Sequence, residues 1–204
     1  MIPYSRQNID LQDIKSVVNV LKSDWLTQGP SVQNFENKIK KYTGAKFACA
    51  VNSATSALHV ACMALKVQKG DIVWTSPNTF VSSANVALLC GAKIDFVDID
   101  PSNYNISVTE LEKKLIKAKK SNKLPKIIIP VHFGGQPTDQ KEIWKLSKKY
   151  KFKIIEDASH SLGAKHLNER VGSCKWSDVV VLSFHAVKVI TTGEGGMALT
   201  NNKN

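Results

Sequence analysis

The sequence predicts an α/β fold in which a mostly parallel sheet is covered by helices on both faces. Along almost the whole chain, short apolar runs of strand length alternate with longer segments of helical periodicity. The length of 204 residues suits a single domain with a sizeable core. Because strands that are joined through helices pair in parallel, this alternation indicates a parallel sheet between two helical layers.

The elements follow in order from the N-terminus. Residues 10–22 form the first predicted helix, with apolar side chains at helical spacing behind Asp10 as its cap, and a second helix over 32–42 ends near Gly44. Strand-like runs follow at 47–51, 72–75, 94–97, 126–131, 153–156 and 179–184. Helical segments at 56–65, 81–90, 108–119 and 140–150 separate these strands. The basic, polar stretch 119–125 is predicted to be a solvated loop.

Lys188 lies in an apolar stretch that breaks into a glycine turn, SFHAVKVITTGEGG at residues 183–196. An ammonium group held among Val and Ile side chains loses hydration, which lowers its pKa and frees a lone pair for attack on a carbonyl. Lys188 is therefore a candidate Schiff-base lysine. For a lysine considered alone, a charge that reaches water from a strand end is the commoner arrangement, so this interpretation depends on the residues that accompany it.

Asp157 ends the apolar run that begins at Ile154. In an open α/β sheet the C-terminal ends of the strands face the ligand crevice, so Asp157 is expected to point to where a cofactor binds. Pyridoxal phosphate needs a lysine to carry it and a carboxylate beside its pyridine nitrogen, and Lys188 with Asp157 supplies that pair. The alternative is that Asp157 caps a helix beginning at Ala158.

A third segment, NSATSAL at residues 52–58, follows the predicted strand 47–51 and begins a helix. Small hydroxylated residues at this point place free backbone N–H groups and the positive end of a helix dipole at the end of a strand, which favours phosphate binding. The segment has neither the Gly-Lys-Ser/Thr sequence of a P-loop nor a Gly-x-Gly-x-x-Gly dinucleotide pattern. An ordinary helix cap is the alternative interpretation.

Together these residues resemble the DegT/DnrJ-type, pyridoxal-phosphate-dependent nucleotide-sugar aminotransferases, which have the fold-type-I aminotransferase architecture. The resemblance extends from Tyr4 to Asn201 and includes LTQGP (26–30), NSATSAL (52–58), PNTFV (77–81), FVDID (96–100), PVHFGGQP (130–137), EDASH (156–160) and SFH (183–185). Within the family, residues 183–196 are most similar to the pseudaminic-acid branch. That branch implies transamination of a UDP-linked 4-keto-6-deoxy amino sugar, with glutamate as the amino donor.

The resemblance also implies a role for each matching residue. Lys188 would bond the cofactor and then move a proton as general base and acid, while Asp157 would pair with the pyridinium nitrogen. Phe80 would lie against the ring face, and His160 would approach the ring hydroxyl. The cofactor phosphate would be bound by Ala54, Thr55, Ser56 and Ser183. The nucleotide-sugar would contact Tyr4, Asp24, Trp25, Leu26, Thr27, Ala54 and Ser183. Because a related dehydratase subfamily has histidine in place of the lysine, Lys188 favours transamination.

Family members continue well beyond the strand expected at residues 195–201 into a small C-terminal domain. Residues 1–204 are therefore interpreted as the N-terminal segment and cofactor-binding large domain of a longer enzyme, from which the small domain is absent. The family also implies a homodimer in which later sequence, some of it from the partner subunit, completes the site.

The net charge of +11 raises the alternative of a nucleic-acid-binding protein. Only Arg6 and Arg170 are arginines, whereas base readout and bidentate phosphate contacts favour arginine, and the lysines are spread along predicted helices. Solvated helix faces are the preferred interpretation, with no nucleic-acid partner, and the positive potential would help to gather an anionic UDP-sugar. An enzyme of the same family with another nucleotide-linked keto-sugar and a non-catalytic nucleotide- or nucleic-acid-binding domain both remain open.

Cysteine usage and the absence of targeting patterns point to the cytoplasm. Cys49, Cys62, Cys90 and Cys174 are far apart and form no Cys-x-x-Cys pair, so reduced core residues are expected. Neither a hydrophobic signal region nor a membrane-length apolar segment occurs in the sequence. None of His59, His132 and His185 has a second ligand at metal-binding spacing, so no metal site is expected.

Overall fold

A computed structural model of the chain describes residue 2 and residues 5–203. Its helices are α1 (Leu11–Leu21), α2 (Gly29–Thr43), α3 (Ala54–Ala64), α4 (Ser82–Leu89), α5 (Val108–Lys120) and α6 (Gln140–Tyr150), with a 3₁₀ turn at Phe133–Gly135. Its strands are β1 (Phe47–Val51), β2 (Ile72–Thr75), β3 (Lys93–Phe96), β4 (Ile127–Ile129), β5 (Lys153–Asp157), β6 (Lys165–His166), β7 (Glu169–Arg170), β8 (Val179–Ser183) and β9 (Gly196–Thr200).

Seven of the described strands form one sheet in the order β1-β9-β8-β5-β4-β2-β3. The pairs β2–β3, β2–β4, β4–β5 and β5–β8 are parallel, whereas β9 runs antiparallel to both of its neighbours. The predicted mostly parallel sheet is therefore confirmed. A short hairpin, β6–β7, forms a separate two-stranded sheet.

The apolar core lies on both faces of this sheet. In β4, Ile127 and Ile129 pack with α3 and α4 on one face, while Ile128 packs with α5 and α6 on the other. Alternate side chains of a strand point to opposite faces, so an all-apolar strand requires cover on both sides. A third cluster places α2 against β8 and β9. Helices on both faces of the sheet, as predicted, are confirmed.

Most helix ends obey local rules that the sequence displays. Asp10 caps α1 by accepting hydrogen bonds from the backbone N–H groups of Gln12 and Asp13. Helix α2 begins at Gly29, earlier than predicted, because a proline in the first turn costs no helix hydrogen bond. It ends at Gly44, whose φ of +87° is a left-handed C-cap conformation.

The structure differs from the predictions at several places. The strand predicted over 126–131 is shorter, Ile127–Ile129, and the short strands β6 and β7 were not predicted. The strand expected at residues 195–201 is present as β9, Gly196–Thr200. Cys62 and Cys174 are buried, but Cys49 is exposed, so a core position for that cysteine is wrong. Its strand, β1, lies at the edge of the sheet. No residue of α1 is buried, although its spacing is amphipathic.

Candidate active site

The C-terminal ends of several strands open into one cavity of about 590 Å³. Asp157 at the end of β5 and Ser183 at the end of β8 line it, together with Lys188 from the loop between β8 and β9. The N-terminus of α3 forms another wall, through Ala54 and Thr55. Parallel strands bring these distant segments to one edge of the sheet, as expected for an open α/β fold.

Lys188 is half-buried, and its Nζ lies 2.6 Å from Nε2 of His160. Burial lowers the pKa of Lys188, and the nearby charge of Asp157 opposes that shift. The sequence predicted this direction. Of the two apolar neighbours, Val187 lines the cavity beside Lys188, whereas Val189 is 68% exposed, so the cavity wall rather than the whole apolar segment desolvates the amine.

Asp157 is 5% exposed, and the contacts of its carboxylate contradict the helix-cap alternative. No helix follows at residues 158–160; instead, Oδ1 accepts hydrogen bonds from the backbone N–H of Ser159 at 3.2 Å and from its hydroxyl at 2.6 Å. Oδ2 accepts a hydrogen bond from the Ser83 hydroxyl at 2.6 Å. The carboxylate is thus fixed in the cavity wall by a turn and by α4.

His160 contacts Lys188 and lies close enough to Asp157 for the carboxylate charge to act on it. Burial lowers the pKa of His160, and the Lys188 charge lowers it further, while Asp157 opposes both effects. Gly135 packs closely against the backbone of His160, since a Cβ at Gly135 would lie 2.8 Å from the His160 carbonyl oxygen. The glycine turn after β4 therefore supports the position of His160.

The start of α3 has the geometry of an anion site. Ser53 is the N-cap and accepts a hydrogen bond from the Ser56 N–H at 3.1 Å, while the first-turn N–H groups of Ala54 and Thr55 have no acceptor within the helix. The Thr55 hydroxyl contacts the Ser82 hydroxyl at 2.7 Å. Strand β9 packs so closely on this turn that a Cβ at Gly196 would lie 2.2 Å from the Ser53 carbonyl carbon.

This donor set fits pyridoxal phosphate. The group needs an amine, a carboxylate and an anion site around a space for one ring, and Lys188, Asp157 and the N-terminus of α3 surround the same cavity. The Ser183 hydroxyl lines the cavity near these groups, and Phe80, 73% exposed, lies at its rim.

The structure does not bring all of the predicted residues together. Asp24, Trp25, Leu26 and Thr27 are exposed and do not line the cavity. Ser56 does not line it either, since its hydroxyl bonds to Ser53. Tyr4 lies outside the described residues.

Sequence reasoning also missed polar residues behind the site. Two of them, Ser83 and Thr79, follow β2. Ser83 bonds to Asp157, and Thr79 bonds to Ser83. The three hydroxyl residues among positions 79–83, Thr79, Ser82 and Ser83, a few residues after an apolar strand, were the signal that could have indicated them. A buried pair, His132 Nε2 and Glu156 Oε2 at 3.3 Å, lies beside Asp157 in sequence and gave no comparable signal.

The described part of the chain shows neither a metal centre nor a membrane-spanning helix. There, no group of three His, Cys, Asp or Glu side chains is arranged to hold a metal ion. Within the same residues, none of the helices has the length and apolar character needed to cross a bilayer.

Comparisons with known proteins agree with this geometry. The UDP-4-amino-4,6-dideoxy-N-acetyl-β-L-altrosamine transaminase of Campylobacter jejuni (strain 81-176) is 46% identical over 203 residues, which are 100% of this chain and 52% of that protein. Helicobacter pylori PseC, an aminotransferase involved in pseudaminic acid biosynthesis, superposes with a TM-score of 0.91 at 35% identity, over 98% of this chain and 52% of that one. Spr1654 from Streptococcus pneumoniae, in its PLP form, superposes with a TM-score of 0.89 at 30% identity, over 99% and 53% of the two chains.

The chain spans about half the length of the curated relatives that it matches. The family model for DegT/DnrJ/EryC1/StrS aminotransferases matches residues 7–204, almost the whole chain. The resemblance seen in the sequence and the fold-type-I architecture that it implied are therefore confirmed: this chain belongs to the DegT/DnrJ/EryC1/StrS aminotransferase family.

Proposed function

We propose that this chain forms the cofactor-binding domain of a pyridoxal-phosphate-dependent aminotransferase that acts on a UDP-linked 4-keto-6-deoxy amino sugar. The observation that carries the proposal is the convergence of Lys188, Asp157 and the N-terminus of α3 on one cavity. The product would be UDP-4-amino-4,6-dideoxy-N-acetyl-β-L-altrosamine, made with glutamate as amino donor for pseudaminic acid or a related surface glycan. Relatives with that activity support the choice of substrate.

When bound, pyridoxal phosphate supplies an electron sink for the electron pair left when a proton leaves the carbon that bears the nitrogen. Lys188 carries the group covalently through Nζ and, once released, takes and returns that proton at the same atom. The lowered pKa of Lys188 favours the neutral amine, which is the form that can attack and accept a proton. The Nε2 atom of His160, 2.6 Å away, orients the amine.

The remaining groups orient the cofactor. Asp157 holds a proton on the ring nitrogen, because a carboxylate beside that atom stabilises its positive charge. The first-turn N–H groups of α3 and the Ser183 hydroxyl would bind the phosphate, and Phe80, at the cavity, would supply an aromatic contact to the cofactor ring.

We assign the rest of the site to a second domain and to a partner subunit of a cytoplasmic homodimer. The length of the relatives supports this assignment. The apolar side chains of α1 also support it, since Leu11, Val17 and Leu21 are each more than half exposed. Residues Asp24 to Thr27, exposed here, would then contact the nucleotide-sugar beside that second surface.

The test is amination of a defined substrate by the full-length protein. UDP-linked 4-keto-6-deoxy sugars, and a control panel of TDP-linked and 3-keto sugars, are incubated with pyridoxal phosphate and [¹⁵N]glutamate, and the products are identified by mass spectrometry. We expect ¹⁵N in the 4-amino position of the UDP-sugar, and none with Lys188→Ala. If only another sugar of the panel is aminated, the protein is an aminotransferase with a different substrate from the one proposed. If no sugar is aminated, the proposal is contradicted.

A further inference from the structure

We propose that Ser83 is a positioning residue for Asp157, and that Ser83 and Thr79 together determine where the proton lies between Asp157 and the cofactor's ring nitrogen. The inference deepens the proposed function and depends on cofactor binding at this site. It concerns two hydroxyl residues that neither the sequence analysis nor the resemblance assigned to a role.

The contacts fix the direction of this chain of hydrogen bonds. Ser83 is fully buried, and its Oγ lies 2.6 Å from Oδ2 of Asp157. An ionised carboxylate can only accept, so the single Ser83 proton points to Asp157. Thr79 Oγ1 lies 3.0 Å from Ser83 Oγ and must therefore be the donor of that second bond. Thr79 itself lines the cavity, so these hydrogen bonds run from the cavity wall through Ser83 to Oδ2 of Asp157.

The hydrogen bonds to Asp157 come from neutral donors, while the charges of Lys188 and His160 act on it without a direct ion-pair contact. Oδ1 is bonded by Ser159 and Oδ2 by Ser83, while none of the ion pairs among the described residues includes Asp157. Each hydrogen bond to a carboxylate stabilises its charged form and so weakens its hold on an added proton. The proton shared with the ring nitrogen is thereby left on the nitrogen, where the chemistry needs the positive charge.

Removal of the Ser83 hydroxyl cannot be compensated by water without rearrangement, because the side chain is fully buried. In Ser83→Ala, the carboxylate loses one donor and takes a larger share of the proton. We expect the proton-sharing equilibrium to shift about tenfold toward Asp157, equivalent to about 1.4 kcal/mol.

The measurement is the ¹⁵N chemical shift of pyridoxal phosphate labelled at the ring nitrogen and bound to the full-length protein at one fixed pH. The wild-type signal should lie at the position of a protonated nitrogen, and the Ser83→Ala signal should move toward that of the neutral ring. Thr79→Val, which keeps the side-chain shape, should produce a smaller movement in the same direction, and Thr79→Ser should restore the wild-type position. Ser161→Ala is the matched control, since this serine is also buried but its hydroxyl has no hydrogen-bond partner among the described residues.

The outcomes separate this inference from the proposed function. If the wild-type protein binds the cofactor at Lys188 but Ser83→Ala and Thr79→Val leave the ¹⁵N signal unmoved, the inference is overturned and the proposed function stands. A signal moved equally by Ser161→Ala also overturns it, because the effect would then be a general loosening. A wild-type protein that forms no adduct at Lys188 refutes the proposed function and this inference with it. Should Ser83→Ala fail to fold, the comparison of Thr79→Val with Thr79→Ser decides the question.

Discussion

Replacing Gly196 with alanine is expected to displace the phosphate-binding end of α3 from the sheet. Strand β9 begins at Gly196, whose backbone packs directly against this turn. An added Cβ would lie 2.2 Å from the carbonyl carbon of Ser53, 2.3 Å from its oxygen and 2.5 Å from the nitrogen of Ala54. All three are backbone atoms, which cannot rotate out of the way as a side chain can.

The size of the effect follows from those distances. Ordinary contacts of a Cβ begin at 3.4 Å, so the turn must retreat by about 1 Å. Overpacking of this kind costs about 1–3 kcal/mol of unfolding free energy. A displacement of about 1 Å in a positioning group can cost about a hundredfold in rate. We expect the affinity for pyridoxal phosphate to fall at least tenfold, together with the loss of stability.

The assay pairs urea denaturation with titration of the cofactor by its visible absorbance. Gly44→Ala is the control, because Gly44 has a φ of +87° with nothing near its absent Cβ. That variant should lose about 1 kcal/mol of stability through backbone strain alone and bind the cofactor normally. Wild-type affinity in Gly196→Ala would refute the reasoning that β9 holds the phosphate-binding turn in place.

Three further predictions concern the cavity itself. Lys188→Ala should yield no borohydride-stable adduct with pyridoxal phosphate, and peptide mass spectrometry that finds the adduct on another lysine would contradict the assignment. Asp157→Asn keeps the shape of the side chain but removes its charge, so turnover should fall about a hundredfold; near-normal turnover would mean that the charge of Asp157 is dispensable. The pKa of His160 is lowered from its ordinary value of 6.5, so the unfolded chain binds more protons than the folded one as the pH falls below that value. Its contribution therefore destabilises the fold on the acid side, and the urea midpoint of His160→Gln should decline less than that of the wild type between about pH 7 and pH 5; parallel declines would show that other groups carry the acid sensitivity.

Local patterns were sufficient for most of the secondary structure. Helix α6 has the predicted bounds because its apolar residues recur at helical spacing between Asp139 and a left-handed residue, Lys151. Strands β1 and β2 also have their predicted bounds, since both are short apolar runs. Strand β9 was expected at residues 195–201, but the close contact of its first residue, Gly196, with Ser53 could not be read from the sequence, because the two residues lie far apart along the chain.

The residues of the candidate site could be predicted from the sequence only where the residue type itself suggests a chemical role. Lys188 and Asp157 could be identified because an amine in a partly apolar segment and a carboxylate at a strand end are each unusual. Ser83 could not be identified in this way, because a serine hydroxyl gains a role only from the carboxylate that it meets across the fold.

The sequence by itself determined the alternation of strands and helices and the parallel sheet, and it indicated Lys188 and Asp157 as candidates, because each of these depends on periodicity or on the chemistry of single residues. The tertiary structure decided which surfaces desolvate Lys188, which hydroxyls bond to Asp157 and which glycine allows β9 to pack against the start of α3. These features depend on distances between segments that lie tens of residues apart, and such distances exist only once the sheet has brought the strand ends together.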